Sequence, residues 1–336
     1  MEKISIDYKS CDKLVDFLKK HPVPEDNEEP IKISLPDDVT KNLYFALVAI
    51  CHQTTPMNGP ALQGTVDGTF WRGWDYLRAV LLKATAKDNS IVYPTALSKM
   101  ISTTLFDLIK GDDGKGKISN LNERVRLLND MGSKMLQNGV SSVQQLFEQS
   151  GGYLDQHGEK KGLYQLLSEF EAYSDPVKKK SSYFFTLMKR QGFWNYADQE
   201  NLLPVVDYHE IRINMRLGTV KINDEELRSK LATKQEVTWQ DDIDIRSGVQ
   251  QAMVYIANEA GIGHGKLHYF LWNLSRNCCN RDAPHCSSHG GKCALPQRYV
   301  QIGQEIGSTS CLFSPFCESA GKEGKLFDHV VKTHYY

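Results

Sequence analysis

The sequence predicts an all-α fold of about a dozen helices, followed by a cysteine-rich C-terminal segment. Three observations predict it. Apolar residues recur at helical spacing through most of the 336 residues. No series of alternating apolar and polar segments marks a sheet. Six of the eight cysteines fall between residues 278 and 317, in polar, glycine-rich sequence poorly suited to a core.

Composition narrows the class. Lys and Arg total 40 and Asp and Glu 41, a net charge of −1. A dedicated DNA binder is usually more basic, although a local basic face is enough for phosphate contacts. No apolar run approaches the roughly 20 residues needed to span a bilayer. The opening Met-Glu-Lys-Ile-Ser-Ile-Asp lacks the apolar core of a signal peptide. An intracellular (cytoplasmic) monomer with reduced thiols and no membrane partner is expected.

The elements follow in order. Residues 1–36 read as an extension and linker: Cys11–Lys20 can form a helix, and Pro22-Val23-Pro24 with the acidic run after it breaks it. Asp37 or Asp38 starts a helix reaching about Cys51. A Gly- and Thr-rich loop covers 51–71. Helical patterns follow at Trp71–Ala86, Tyr93–Lys110 and Leu121–Asn138, then from Ser141 or Ser142 to Ser150, and at Leu163–Ala172. Lys178–Arg190 is an amphipathic helix with a basic entrance. Glu225–Thr233 is helical. Ile245–Ala260 carries Val249, Ala252, Met253, Ile256 and Ala257 on one face and stops at Gly261. The next helix carries Leu267, Phe270, Leu271 and Leu274, an ordinary packing stripe.

The stretch Leu203–Gly218 is the most informative. Val205 and Val206 lead into Asp207, and a helix of about three turns then runs to Gly218. An aspartate there faces the positive end of the helix dipole, and most such aspartates are N-caps only. Val206, Asp207, His209, Arg212, Arg216, Leu217 and Gly218 also fall in register on the signature of the helix-hairpin-helix DNA glycosylases. The stretch resembles that superfamily, in which this aspartate is the catalytic carboxylate. Tyr208 matches its archaeal 8-oxoguanine glycosylase branch and would touch the substrate.

The resemblance implies a two-lobed helical glycosylase-like core over 37–275, with a catalytic cleft between the lobes. It also implies a lysine at the start of the helix before the aspartate. Lys180 precedes Asp207 by 27 residues, a similar interval, and would form a Schiff base giving strand-cleaving lyase activity. Where most members have a Leu-Pro-Gly-Val-Gly hairpin, this chain has Tyr173-Ser174-Asp175-Pro176-Val177. The lost glycines put a phosphate contact by hairpin amides in doubt. Gln53, in Ile50–Thr55, is similar to a family string that touches the base or fills its hole. Trp71, Trp74, Phe184 and Trp194 are candidate pocket walls, although such aromatics are ordinarily core.

Residues 276–336 form the expected metal loop and tail. Cys279 and Cys286 are separated by six residues, and Cys311 and Cys317 by five. This resembles the C-x6-C-x2-C-x5-C loop of the endonuclease III and adenine-glycosylase families, except that 24 residues lie between Cys286 and Cys311 where they have two. The resemblance implies Cys279, Cys286, Cys311 and Cys317 as ligands of a 4Fe-4S cluster. A zinc site, with His289 or Cys293 replacing one cysteine, is the alternative.

The expected activity is excision of a damaged or modified base from DNA. The nucleotide is flipped out, and the carboxylate stabilises the positive charge that builds on the sugar or orients water. A second resemblance points elsewhere. Phe70-Trp71-Arg72-Gly73-Trp74, the Leu121–Leu136 helix, Val206-Asp207-Tyr208, Tyr269-Phe270-Leu271-Trp272 and Tyr335-Tyr336 are similar to queuosine-salvage glycosylases, which hydrolyse a nucleoside 5′-phosphate. A non-catalytic, metal-stapled DNA-binding protein, with Asp207 only a cap, is the third possibility.

Overall fold

The computed structural model describes residues 2–23, 35–56, 61–114, 116–286, 299–307, 311–322 and 328–336. Helix accounts for 56% and strand for 6%, so the fold is mainly helical. The elements run β1 (Ile4–Ile6), α1 (Tyr8–Lys20), α2 (Asp37–Ala49), β2 (Gln63–Val66), β3 (Thr69–Arg72), α3 (Gly73–Lys87), α4 (Pro94–Leu97), α5 (Ser102–Ile109) and α6 (Leu121–Gln137). They continue α7 (Val143–Gln149), α8 (Leu163–Ser168), α9 (Lys179–Arg190), α10 (Tyr208–Leu217), β4 (Val220–Ile222), α11 (Glu225–Ala232), α12 (Trp239–Ala260), α13 (His264–Asn277) and α14 (Val300–Glu305). No described helix is long and apolar enough to cross a membrane.

The chain forms two compact units: residues 1–27 with 203–332, and 28–202 with 333–336. The first is built on α12. Thr238 and Asp241 form a capping box at its start, and Gly261, at φ 67°, closes it. Its expected stripe, Val249, Ala252, Met253, Ile256 and Ala257, is fully buried. The helix begins earlier than its apolar pattern because Asp242 and Arg246 are buried as an ion pair, which His329 joins through Nε2 at 2.6 Å. Packed against α12 are α1, α10 and α13. β1 pairs antiparallel with β4, Ile4 opposite Ile222. Residues 4–20 are therefore part of this unit and not the peripheral extension expected. Leu14, Val15 and Leu18 bury one face of α1, and the three-residue strands are too short for alternation to reveal.

The second unit is built on α2, with every residue from Asn42 to Ala49 buried. Phe45 stacks on Tyr173 at 5.0 Å and meets Phe184 at 5.4 Å. Two expectations differ here. Tyr93–Lys110 is not one helix but α4 and α5, with Ile101 extended between them. The 94–98 backbone lies against Gly132 of α6, where any Cβ would collide with it. Trp71 does not open a helix. It sits in β3 opposite Gly64, because Asp67 and Gly68, both at positive φ, make a hairpin turn.

Candidate functional site

The N-terminus of α10 is fixed from three directions. Buried Val205 and Val206 anchor the extended entry. Asp207, the N-cap, is half-buried; its Oδ1 accepts from the His209 N–H at 2.6 Å. Its own N–H donates to Glu210 Oε2 at 3.0 Å, completing a capping box. Glu210 is fully buried, and its Oε1 stands 2.9 Å from His268 Nδ1 on α13. Gly218, at φ 86°, ends the helix in a left-handed conformation that favours glycine. The aspartate is thus held in one orientation by its cap and by its neighbour's ion pair.

Arginines surround this end of the helix. Arg212 Nη2 donates to His209 Nδ1 at 2.8 Å, and its Nη1 pairs with buried Asp328 at 2.6 Å. Arg281 reaches the other Asp328 oxygen at 2.6 Å, and its guanidinium lies 5.3 Å from the Tyr208 ring centre. Trp272 meets His209 edge-on at 5.7 Å and carries the Arg276 guanidinium at 4.9 Å. Burial, opposed by Asp207 and reinforced by Arg212, Arg276 and Arg281, pushes His209 down to about 3. Its ring is therefore neutral near pH 7 and accepts from Arg212; it is not a proton donor at Nδ1. Burial raises the Tyr208 hydroxyl well above its ordinary value, so it stays protonated.

The same helix reaches the cysteines. Cys279, Cys286, Cys311 and Cys317 line one small cavity together with Cys278, and its wall includes Arg216. All four are free thiols. Arg216 Nη1 donates to Cys279 Sγ at 3.2 Å and to the Asn280 carbonyl at 2.8 Å, and Cys317 Sγ donates to the Arg216 carbonyl at 3.2 Å. Burial pushes the Cys311 thiol up to about 12, with Cys279 adding to it, and the Cys317 thiol to about 11. Among the described residues, no three His, Cys, Asp or Glu side chains form a group that could hold a metal ion. Cys279 and Cys286 thus share one cavity with the distant pair, whereas His289 and Cys293 lie outside the described residues.

In the second unit Lys180 is fully buried. Its amine donates to the Ala49 carbonyl at the C-terminus of α2 and stands 3.5 Å from His52 Nδ1. Burial brings it down to about 7, with Lys179 and Arg124 adding to the effect and Cys51 opposing it. Arg124, also buried, donates to the Ile50 and His52 carbonyls, so a guanidinium and an amine cap the same helix end. They hold the turn that presents Gln53, which sits at φ 47°. Lys179 lies over Tyr183 at 5.4 Å, and Tyr183 meets Trp74 at 5.2 Å. Trp71 is half-buried, whereas Phe184 and Trp194 pack on each other in the core at 5.3 Å. A neutral amine is the form that attacks a sugar carbon, but this one is sealed in protein and already engaged.

The hairpin position shows what sequence reasoning missed. Asp175 is buried, and its two carboxylate oxygens accept from the N–H groups of Val177 at 3.1 Å and Lys179 at 2.9 Å. Lys178, just past that string, takes the left-handed conformation, φ 58°. The amides expected to meet a phosphate thus hold the chain's own carboxylate. The signal was the Asp-Pro pair, which favours a side-chain turn. Arg276 and Arg281 also went unnoticed, since nothing local singles out an arginine that stacks on an aromatic ring from another segment.

No protein-family model matches the chain, and no curated protein matches it.

Proposed function

We propose that the protein is an N-glycosidase in which Asp207 stabilises the cationic sugar or orients water. Water forms the new bond to C1′, the C–N glycosidic bond breaks, and the base leaves with the proton. The observation that carries this reading is helix α10: a half-buried aspartate fixed at one end, and Arg216 in the wall of a cysteine-lined cavity at the other. A fixed carboxylate can stabilise developing positive charge without reorganising.

On the first reading the substrate is DNA carrying a damaged or modified base. Cys279, Cys286, Cys311 and Cys317 would hold a 4Fe-4S cluster whose role is structural, stapling the segments around Arg216. Donor chemistry supports this fit: four free thiols line the cavity beside the disulfide-bonded Cys278, and no carboxylate does. A single zinc needs four sulfurs at about 2.3 Å from one point, whereas a cubane spreads them around four irons. Strand cleavage by Lys180 would require its amine to leave Ala49, and base release does not depend on it.

Asp175 favours a second reading, a nucleoside 5′-phosphate substrate. With its carboxylate on the hairpin amides, that hairpin has no place for a backbone phosphate. The test is mass spectrometry of free bases from two incubations, one with DNA bearing a panel of damaged and modified bases, the other with deazaguanine nucleoside 5′-phosphates. Release from DNA alone supports the first reading, and release from the nucleotide alone the second. No release from either would leave a non-catalytic DNA-binding protein.

A further inference from the structure

Asp328 lies in the segment after the cysteines, 116 residues beyond Arg212, and is buried. A carboxylate taken out of water needs partners for its charge and its lone pairs. Oδ1 accepts from Arg212 Nη1 and Oδ2 from Arg281 Nε, each at 2.6 Å. Arg281 is half-buried and still meets solvent, whereas Arg212 is buried. Among the described residues, Asp328 is the one carboxylate paired with Arg212. A guanidinium buried without a counter-charge is strongly destabilised, so Arg212 keeps its place only with Asp328 beside it.

All three guanidinium nitrogens of Arg212 are engaged. Nε donates to the Cys279 carbonyl at 2.9 Å and Nη1 to Asp328. Nη2 donates to Ser275 Oγ and to His209 Nδ1, both at 2.8 Å. A guanidinium can only donate, so His209 Nδ1 accepts and carries no proton. The imidazole is thereby fixed as the neutral ring with its N–H at Nε2. Tyr208 at 4.4 Å and Trp272 at 5.7 Å pack against the same ring. The backbone N–H of His209 in turn holds Asp207 Oδ1 at 2.6 Å. Three short hydrogen bonds therefore run in sequence from Asp328 through Arg212 and His209 to Asp207. On α10 alone, the spacing of Arg212 from Asp207 is set but the direction of the guanidinium is not; Asp328 supplies that direction.

We propose that Asp328 is a positioning residue for Asp207: it holds Arg212, Arg212 holds the His209 ring in its Nε2–H tautomer, and His209 holds the carboxylate through its backbone N–H. This rests on the reading of Asp207 as a glycosidase carboxylate. Asp328 takes no part in the bond-breaking step. Its contribution is made beforehand, because a carboxylate already fixed in place stabilises charge at C1′ without reorganising. The segment after the cysteines is thus a working part of the site and not only a cover for the core.

The test has a spectroscopic arm and a kinetic arm. Full-length protein labelled with nitrogen-15 histidine is compared as wild type and Asp328→Asn, and His209→Gln identifies the His209 signals. Wild type should show a neutral His209 with its proton on Nε2. In Asp328→Asn the Nδ1 signal should move towards that of an unbonded imidazole nitrogen. Arg212→Lys keeps a cation beside Asp328 but loses the fork to His209; it should move the same signal, and it replaces Asp328→Asn if that variant does not fold. A wild-type ring protonated on Nδ1, or a His209 signal identical in wild type and both variants, overturns the proposal. In the kinetic arm, Asp328→Asn should lower kcat for base release about tenfold or more and leave KM nearly unchanged. A shifted His209 signal with normal kcat and KM overturns the positioning role and leaves the glycosidase reading intact. A shifted signal with no base release from any substrate, in wild type as well, keeps the connection from Asp328 to His209 and removes the glycosidase reading.

Discussion

Asp207 and Lys180 each stand at the start of a helix, and the same motif resemblance singles out both. Their surroundings are opposite. Asp207 caps α10 through His209, remains half-buried, and is surrounded by arginines with aromatic platforms. Lys180 is sealed inside its unit, capping α2 through Ala49 beside buried Arg124. The first residue has the fixed yet accessible setting that chemistry needs. The second has the setting of a structural cap. A motif position specifies a residue type and a helix turn; whether the side chain meets solvent depends on residues far away in sequence.

The largest effect is expected at the cysteines. Protein purified without oxygen should be brown and carry about four irons per chain. Cys311→Ser should lose most of that iron and lower the thermal midpoint by ten degrees or so, because a structural metal contributes directly to folding free energy. Stoichiometric zinc without iron would put a zinc ion in the iron's place. A metal-free protein with an unchanged midpoint in the variant would contradict the account of the cavity altogether.

Lys180 gives the next effect. Its amine is held at about 7 in the folded chain against an ordinary 10.5. Between those values the unfolded chain binds more protons, so stability should rise with pH, by up to about 1.4 kcal/mol per pH unit from this group. Below pH 7 the cost of burying the charge is present in full; near pH 10.5 it is relieved. Urea unfolding at pH 7.5 and 9.5 should show a steeper rise in wild type than in Lys180→Met. Parallel slopes would show that the amine titrates normally. If borohydride trapped a DNA adduct that Lys180→Met abolished, the structural assignment of this lysine would be wrong.

The smallest effect sharpens the contrast at the hairpin. Asp175→Asn removes the negative charge that occupies the amides of Val177 and Lys179. Fluorescence anisotropy with a duplex containing an abasic site should report binding tightened by roughly threefold to tenfold, at a stability cost of about 1 kcal/mol. Unchanged affinity would mean that Asp175 does not stand in for a phosphate.

Much of this was legible because it is local. The α10 cap, the Gly218 stop and the α12 stripe follow from neighbouring residues, and all three lie where their spacing predicts. The four cysteines singled out by spacing line one cavity, which Cys278 lines as well. The rest depends on tertiary contacts. Lys180 meets an acceptor 131 residues away, and β1 finds β4 only across the chain. The split of α4 from α5 follows from a close backbone approach to Gly132, which no propensity within 93–110 reveals. The Asp67-Gly68 turn was readable from its dipeptide, but the aromatic run after it suggested a helix instead.

The most direct test of the central claim is single-turnover base release by wild type and Asp207→Asn on whichever substrate proves active. Asparagine caps a helix about as well as aspartate, so the substitution separates the cap from the carboxylate. The account predicts a thermal midpoint within a few degrees of wild type and a rate lower by roughly a thousandfold. A variant that releases base at the wild-type rate would show that Asp207 is a helix cap and nothing more.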